Sequence, residues 1–530
     1  MKFVQCILIL LTTATFNYAE AKDYFCQQWE VIEISLHTSA EDFNPFTTEF
    51  GATFVHEDGE KVKVPGFYND DDDWLIRFSP ALTGQWTFST YAAIPALDRK
   101  SGTITVSQNM QANKHGAVKV HPEHAQRFIY EDGTSYFPLA FELDWLFALD
   151  AENSSDIPRT RQMINHLAAY KFNKVIMNVY AYEANWGEKD KIDEAYNFAR
   201  PTAFPFGGDN ENPDHSTLNI DFFKHFDRVI ATLNDHEIVS HLMIYVWNKN
   251  VNWPVPGSEE DNMYFDYVVK RYQAYPNLIW DISKEALAYG RDDLDYIVER
   301  IERLKALDAH ERLLTVHDYK FCYAHPELVD FISIQEWRPN LYYQMLQATQ
   351  THPTKPIFNV EHGGYEQSMH TIFHGAYTDP IVCLERSYTC IFAGTYTSYY
   401  WQNSAWYEVI YEPFSLPKQQ QPKFEYYKIL MDFFAHYDYS ELIPKQYVYS
   451  PYCLTNEQDK FIFLVPSGMY ALQGGVPAPA NHQRISIQWF NPLTGAYSEE
   501  RTLVLSSWMN FIKPEHLGNS FAVAILTVIE

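Results

Sequence analysis

The middle of the chain alternates short apolar runs with longer stretches that carry apolar residues at helical spacing. In the stretch 293–307, for example, Leu294, Ile297, Ile301 and Leu304 recur among charged residues. The apolar runs that predict strands are 136–141, 174–179, 239–246, 278–283, 313–317, 331–335, 356–360 and 391–396. Eight strands that alternate with helices predict a (β/α)8 TIM barrel, to which we assign residues 120–438.

The two regions that flank the barrel alternate apolar and polar residues with a period of two instead. The first region, residues 22–110, contains such a strand at 29–36. The second region, residues 439–530, contains others at 461–465, 485–490 and 522–528. Short strands at regular spacing predict a β-sandwich on each side of the barrel. The predicted fold class is therefore α/β, with a barrel between two β-sandwich domains.

The first residues, 1–21, have the pattern of a secretory signal peptide. Lys2 precedes an apolar core at 4–11, and small residues end the segment at Ala19 and Ala21. We therefore expect the mature protein to be exported, either secreted or periplasmic. No later stretch approaches about 20 uninterrupted apolar residues, so we predict no membrane-spanning segment.

The overall charge argues against two classes of partner. A formal net charge of -28 at pH 7 would repel both nucleic acid and anionic membrane surfaces. Aromatic residues make up 16% of the chain, which fits either an aromatic-rich core or the flat apolar platforms of a sugar-binding cleft. The composition leaves both interpretations open, and it leaves the oligomeric state open.

The cysteines do not form a recognisable framework. Outside the signal segment the chain has an odd number of them at irregular spacing, which fits neither a zinc site nor a disulfide scaffold. The residues expected to be buried free thiols are Cys26, Cys322, Cys383, Cys390 and Cys453. A metal hydrolase built on Asp144, His317 and Glu361 has no ligand spacing to support it, so no metal or other cofactor is predicted.

Two glutamates stand where predicted barrel strands end. Glu285 follows the fourth predicted strand, and Glu361 follows the seventh and opens a turn that contains Gly363 and Gly364. Active sites of (β/α)8 barrels lie at the C-terminal ends of the strands, and these two strands lie nearly opposite each other across the mouth. Two carboxylates about 5 Å apart can cleave a glycosidic bond with retention of configuration and without a metal.

With these residues the chain resembles the retaining glycoside hydrolases of the clan A superfamily. In that superfamily the acid/base ends strand four and the nucleophile ends strand seven, so the resemblance implies that Glu285 is the acid/base and Glu361 the nucleophile. Segments at 28–29, 44–45, 64–68 and 83–86 resemble the immunoglobulin-like module of secreted bacterial polysaccharide-degrading proteins, and 489–495 is similar to their C-terminal collagen-binding-type β-sandwich. The resemblance implies a secreted glycosidase that cleaves an extracellular poly- or oligosaccharide by a retaining double displacement.

One residue departs from the pattern of the superfamily. The clan has asparagine before the acid/base, where it hydrogen-bonds the sugar's 2-hydroxyl, whereas this chain has Lys284. Lysine donates hydrogen bonds but cannot accept them, and its charge next to Glu285 is expected to lower the pKa of that carboxyl. Three alternatives stay open: Lys284 contacts an anionic or unusual sugar, it points away, or the site is impaired. An impaired site would make the protein a non-catalytic glycan-binding or adhesion protein.

Other polar and aromatic residues follow the predicted strand ends and are candidates for sugar binding. Glu336 is a rival to Glu285 for the acid/base role, and His362 could equally be a structural hydrogen-bonding residue. The predicted substrate-binding residues are Asp144, Trp145, Tyr180, Trp247, Lys284, His317, Tyr319, Glu336, Trp337 and Trp401; Tyr182, Asn248 and Tyr400 are further residues at the mouth. No residue decides which sugar or linkage is recognised.

Overall fold

The computed structural model describes residues 22–39, 43–183, 200–289, 293–365, 376–377, 379–401, 414, 416–419 and 421–529. The expected signal segment, residues 1–21, lies outside the described residues. Within these ranges, no helix is long and apolar enough to cross a membrane. The cysteines that follow the signal segment are all buried and free, which confirms the prediction for them.

The N-terminal region consists of two β-sheets that share an apolar core. The larger sheet has the strand order Lys22–Gln27, Ser101–Ser107, Gly84–Ala92, Phe50–His56 and Lys61–Pro65. The smaller sheet has the order Ile32–His37, Asp73–Phe78 and Phe67–Tyr68. Side chains of alternate residues fill the space between them, where Phe54 stacks on Phe78 with ring centroids 4.0 Å apart.

Eight parallel strands form the barrel at the centre of the molecule. They are Leu139–Glu142, Lys174–Asn178, Val239–Val246, Leu278–Lys284, Leu314–His317, Ile332–Gln335, Ile357–Glu361 and Tyr396–Tyr399, numbered one to eight in that order. The hydrogen-bonded ladder runs from strand five through four, three, two, one, eight and seven to strand six. Thr315 joins strand five to strand six, since its hydroxyl donates to the Phe331 carbonyl at 2.9 Å and lies 3.0 Å from Ser333 Oγ. The predicted fold class is confirmed.

Helices connect the strands and cover the outside of the barrel. They are Pro158–Ala169, Ile220–Asp235, Glu259–Tyr272, Leu294–Leu307, Tyr319–Ala324, Leu341–Thr351, Pro380–Phe392 and Phe424–Tyr437. Several begin at a side chain that accepts a hydrogen bond from the first turn, among them Asn219, Ser258, Asp293, Asp318 and Asp379. Such caps satisfy backbone N–H groups that have no partner within the helix.

The eighth strand lies later in the chain than the sequence predicts. The predicted strand 391–396 is wrong in its first residues, because Ile391 and Phe392 end the helix Pro380–Phe392. Most residues of the last turns of that helix are buried, so they read as an apolar run that periodicity cannot distinguish from a strand. The strand begins at Tyr396 and ends at Tyr399, directly before Tyr400 and Trp401.

Three short sheets accompany the barrel. An antiparallel sheet of Val118–Val120, Phe128–Tyr130 and Ser135–Tyr136 precedes strand one. The strand Phe206–Gly208 pairs with Pro213–Leu218, and Gly364–Tyr365 pairs with Ala376–Tyr377. Phe128 packs on Phe331 and Tyr396, which lie at the N-terminal ends of strands six and eight. The first short sheet therefore covers the end of the barrel opposite the strand C-termini.

The C-terminal region is again built from β-sheets. Its six-stranded antiparallel sheet has the order Ile443–Tyr447, Ser450–Thr455, Lys460–Val465, Ala522–Val528, Arg484–Phe490 and Arg501–Val504. A two-stranded sheet of Ala471–Gly475 and Trp508–Ile512 completes it. Phe490 packs on Phe433 of the last barrel helix, with ring centroids 4.5 Å apart, and Tyr452 packs on Tyr342 at 4.4 Å. These aromatic contacts dock the region on the side of the barrel.

A network of two arginines and one aspartate fastens the N-terminal sheets to the barrel. Asp227 accepts hydrogen bonds from Arg77 of the smaller sheet, at 3.0 and 2.6 Å, and from Arg271 of a barrel helix, at 2.8 and 2.6 Å. Both guanidinium groups also lie over the ring of Phe67. Burial acts to raise the pKa of Asp227, but Arg271 and Arg77 outweigh it and hold that pKa well below its usual range. The stabilisation is therefore complete at neutral pH and is lost only as the pH falls through the folded-state pKa.

Replacing Asp227 with asparagine should lower the free energy of unfolding by about 3–5 kcal/mol, because two buried guanidinium groups would lose their carboxylate. Urea denaturation followed by tryptophan fluorescence measures the change. Asp156→Asn is the matched control, since Asp156 pairs with Arg161 at 2.8 Å on the surface, where solvent screens the pair and its loss should change stability little. Equal losses in the two variants would contradict the role of Asp227.

Candidate active site

A cavity of about 800 Å³ opens at the C-terminal ends of the barrel strands. Residues at the ends of strands three to eight line it, which is where barrels of this type place their active sites. The residues at its wall that matter for chemistry are Asn248, Lys284, Glu285, His317, Gln335, Glu336, Glu361 and Tyr400, together with the aromatic side chains of Tyr289, Tyr319 and Trp337. The cavity therefore brings the two predicted catalytic glutamates to one surface.

Glu361 is the last residue of strand seven and is buried. One carboxylate oxygen, Oε2, accepts a hydrogen bond from Gln335 Nε2 at 2.9 Å. The other, Oε1, lies 2.7 Å from Lys284 Nζ and 3.5 Å from His317 Nε2. Burial raises the pKa of the Glu361 carboxyl, and the charges of Glu285 and Asp144 add to the rise, while Lys284 opposes it. Strands four to seven thus fix both oxygens of this carboxylate.

Lys284 ends strand four and lies beneath the cavity, with 2% of its surface exposed. Its Nζ lies 2.6 Å from Glu142 Oε1 and 3.4 Å from Asp144 Oδ2, in addition to its contact with Glu361. Burial acts to lower the pKa of Lys284, but Asp144, Glu142 and Glu361 outweigh it and raise that pKa well above its usual value. Of the alternatives left open by the sequence, the one in which Lys284 points away from the site is therefore wrong.

A second buried lysine stands next to this group. Lys249 Nζ lies 3.3 Å from Asp144 Oδ2 and 5.3 Å from the ring centroid of Trp145. Burial lowers the pKa of Lys249, although the Asp144 charge opposes that effect. Asp144 is thus shared by two ammonium groups, and it lies behind Lys284 instead of at the wall of the cavity.

Glu285 is the first residue after strand four and is partly exposed. Its Oε2 accepts a hydrogen bond from Asn248 Nδ2 at 2.8 Å, and its backbone N–H donates to the carbonyl of His317 at 3.2 Å. Its φ of 57° lies in the left-handed region, which is unfavourable for residues with a side chain. Strain of this kind concentrates at functional sites. The backbone and Asn248 together set the position of this carboxylate.

The interior of the barrel supports His317 from below. His241 Nε2 lies 2.8 Å from Asp281 Oδ2, and Asp281 Oδ1 accepts a hydrogen bond from the backbone N–H of His317 at 2.8 Å. Burial raises the pKa of Asp281 to about 7. Burial, Lys284 and His241 hold the pKa of His317 well below its usual value, so its ring is neutral. A neutral imidazole next to Glu361 adds no positive charge to the cavity.

Several predicted substrate-binding residues are not among the described residues that line the cavity. Tyr180 packs against Phe147 and Phe204, and Trp247 stacks on Tyr245 at 5.6 Å. The complete set of such residues is Asp144, Trp145, Tyr180, Trp247 and Trp401. Tyr182 donates a hydrogen bond to Glu211 and is likewise outside the lining. The predicted residues that do line it are Lys284, His317, Tyr319, Glu336 and Trp337.

The rival carboxylate and the histidine beside Glu361 both have structural partners. Glu336 Oε1 accepts hydrogen bonds from the backbone and from Nε of Arg338, at 2.9 and 2.8 Å, and Oε2 accepts from the same guanidinium. His362 Nε2 lies 2.9 Å from the Ser398 carbonyl and from Ser387 Oγ, behind the strand. Glu336 is thus paired with Arg338, and His362 is held by groups of strand eight and of the helix Pro380–Phe392.

Sequence reasoning missed Glu142 and the role of Asn248. Glu142 ends strand one, one residue beyond the predicted strand, and is fully buried. Burial and the charge of Glu361 raise the pKa of Glu142 well above its usual value. A carboxylate that ends an apolar run was the available signal, and it is the same signal that identifies Glu361.

The described residues contain no group of three or more His, Cys, Asp or Glu side chains that could hold a metal ion.

Comparisons with known proteins agree with this architecture. A candidate glycoside hydrolase from Bacteroides vulgatus ATCC 8482 superposes with a TM-score of 0.75 at 19% identity, over 96% of this chain and 100% of the other. A family 5 glycoside hydrolase from the same strain gives a TM-score of 0.57 at 15% identity, over 78% of this chain and 94% of the other. At such identities the likeness shows the fold. A search of curated proteins finds no match.

Two protein-family models match the sequence. A domain of unknown function, DUF5060, matches residues 25–93. The catalytic-domain model described as apiosidase-like matches residues 123–421, which is more than half of the chain and includes the cavity with both glutamates. The chain is thus glycoside-hydrolase-like in both sequence and fold. It belongs to the apiosidase-like family.

Proposed function

We propose that this protein is a retaining glycosidase in which Glu361 is the nucleophile and Glu285 the general acid/base. One observation carries the proposal: two glutamates at the ends of strands seven and four border the same cavity in different environments. Glu361 is buried and paired with a lysine, whereas Glu285 is partly exposed and held by a neutral amide. Environments that separate two carboxylates in this way assign them different roles in acid–base chemistry.

The residues support a double displacement. In the first step an oxygen of Glu361 forms a bond to the anomeric carbon, and the electron pair of the breaking glycosidic bond passes to the departing oxygen, which takes a proton from Glu285. In the second step Glu285, now a carboxylate, removes a proton from water, whose oxygen attacks the anomeric carbon and releases Glu361. Asn248 donates to Glu285 Oε2 and is suited to hold that carboxyl through both steps.

The charges around the cavity favour an uncharged sugar as substrate. The cations among the described lining residues, Lys249, Lys284 and Arg338, each have a carboxylate partner within the protein. An anionic sugar would have to compete with those carboxylates and would also face the charge of Glu361. Trp337, which packs edge-on against Tyr400 at 5.4 Å, and Tyr319 offer apolar surface to a pyranose or furanose ring.

The family name makes apiosides the first substrates to test, and apiose is an uncharged pentose. The N-terminal segment 1–21 supports export, so the glycan would be met outside the cytoplasm. We propose a plant, algal or other extracellular glycan as the natural substrate.

Purified protein should be tested on a panel of apiosides, other neutral glycosides and glycosides of uronic acids, and it should release sugar from one of the neutral glycosides. The variant Glu361→Gln should stay folded and release no sugar. Chromatography of the products measures release, and circular dichroism checks folding. Glu336→Gln is the matched control and should keep most of the activity, because its carboxylate serves Arg338. Full activity of Glu361→Gln would refute the proposal. If the wild type binds sugar but releases none, the protein is instead a non-catalytic glycan-binding protein.

Glu285→Ala should lower the rate of glycoside cleavage by an amount that depends on the leaving group. Glycosides with poor leaving groups should be cleaved about 10²–10⁴-fold more slowly, because their departing oxygen needs a proton. A 2,4-dinitrophenyl glycoside needs no such proton, so its first step should be nearly unchanged in pre-steady-state kinetics. Added azide, which attacks without a general base, should then restore its turnover. A loss that is the same for all leaving groups would contradict the acid/base assignment.

A further inference from the structure

Three buried carboxylates surround the ammonium group of Lys284. An ammonium group has three N–H bonds, and Lys284 Nζ has carboxylate oxygens of Glu142, Glu361 and Asp144 at 2.6, 2.7 and 3.4 Å. The side chain is buried, and so are all three carboxylates. Lys284 therefore does not replace the hydroxyl contact of the asparagine that the clan A superfamily has at this position.

The three carboxylates differ in what the reaction would do to them. When Glu361 forms a glycosyl ester it loses its negative charge, and the ion pair with Lys284 ends. A buried ammonium left without a partner is costly, so it would oppose ester formation. Glu142 and Asp144 take no part in bond making, and their contacts with Lys284 remain. Lys284 thus has carboxylate partners both before and after the nucleophile is used.

We propose that Lys284 is the positioning residue of the nucleophile, and that Glu142 and Asp144 hold its ammonium group in place while the charge of Glu361 is consumed and restored. The inference rests on the proposed function, in which Glu361 forms an ester. It assigns Asp144 and Lys284, which the sequence offers as sugar-binding residues, to the support of Glu361 instead. Glu142, Asp144 and Lys284 act through Glu361 and do not touch the sugar.

The proposal predicts opposite effects of two substitutions on the pH dependence of catalysis. Lys284→Met removes the cation that opposes the rise in the pKa of Glu361, so the acidic limb of kcat/KM should move to higher pH, by about 1–3 units. Asp144→Asn keeps the shape of the side chain but removes a negative charge that raises the same pKa, so the acidic limb should move to lower pH. Loss of stability alone would not move the limb in either direction.

The measurement should use the 2,4-dinitrophenyl glycoside that the wild type cleaves fastest. Its leaving group needs no proton, so the acidic limb reports the ionisation of Glu361 in the free enzyme and not that of Glu285. Among the residues that the structure describes, the other titratable groups that face Glu361 are His317, Glu285, Glu142, Asp144, Tyr289 and Tyr400. His317 is neutral over this range, because its pKa lies well below its usual value.

Two further variants separate this role from a merely structural one. Lys284→Arg keeps the positive charge and should restore the acidic limb to near its wild-type position. Lys174→Met is the matched control, since Lys174 is another fully buried lysine of the barrel, in strand two, and it lies over the rings of Phe358 and Phe331. Its loss should leave the limb in place.

The shift of the acidic limb in these variants either supports or overturns the proposed role of Lys284. Opposite shifts in Lys284→Met and Asp144→Asn support the proposal, and a limb that stays at the wild-type pH in both overturns it. If Lys284→Met does not fold, Asp144→Asn decides alone, and an unshifted or upward-shifted limb overturns the proposal. Failure of the wild type to cleave any glycoside would instead refute the proposed function, so the two failures are distinguishable.

Discussion

The buried ion pair between Lys284 and Glu361 is the constraint on which the rest of the site depends. Their charged atoms lie 2.7 Å apart where almost no solvent reaches either side chain. Charges in such a place are stable only if they remain paired and hydrogen-bonded. The ends of strands one, four and seven must therefore meet at one level, so that Glu142, Lys284 and Glu361 come into contact. A closed barrel of parallel strands satisfies this requirement because all its strand C-termini share one rim.

The position of the second glutamate, Glu285, depends on its backbone conformation and on hydrogen bonds to neutral groups. Glu285 lies just past the end of strand four in a left-handed backbone conformation, and Asn248 at the end of strand three holds its carboxylate. Adjacent residues at the end of one strand thus have different partners, since three buried carboxylates surround the Lys284 ammonium group, whereas Asn248 holds the carboxylate of Glu285. Backbone strain at Glu285 is sustained by ordered surroundings, among them the bond from its N–H to His317 and the bond from His317 to Asp281.

Much of this architecture can be read from the sequence, because strand ends are local features. Apolar runs gave the positions of seven strands within a few residues, and with them Glu285 and Glu361 at the rim. The eighth strand was misplaced because the buried helix Pro380–Phe392 presents apolar residues on most of its sides. The direction of Lys284 could not be predicted, since its partner Glu142 lies 142 residues away and only the closed barrel brings them together. The buried Tyr180 could not be distinguished from a cavity residue, because aromatic residues near strand ends pack in the core as readily as they line a cavity.

The most direct test of the account is to identify the side chain that bonds to the sugar. A 2-deoxy-2-fluoro glycoside with a 2,4-dinitrophenyl leaving group, in the configuration of the sugar that the enzyme cleaves, should slow the second step and trap the glycosyl-enzyme. Digestion and peptide mass spectrometry then locate the added sugar. The account predicts that it is attached to Glu361. Attachment to Glu285 or Glu336, or steady turnover of the reagent with no labelled peptide, would contradict it.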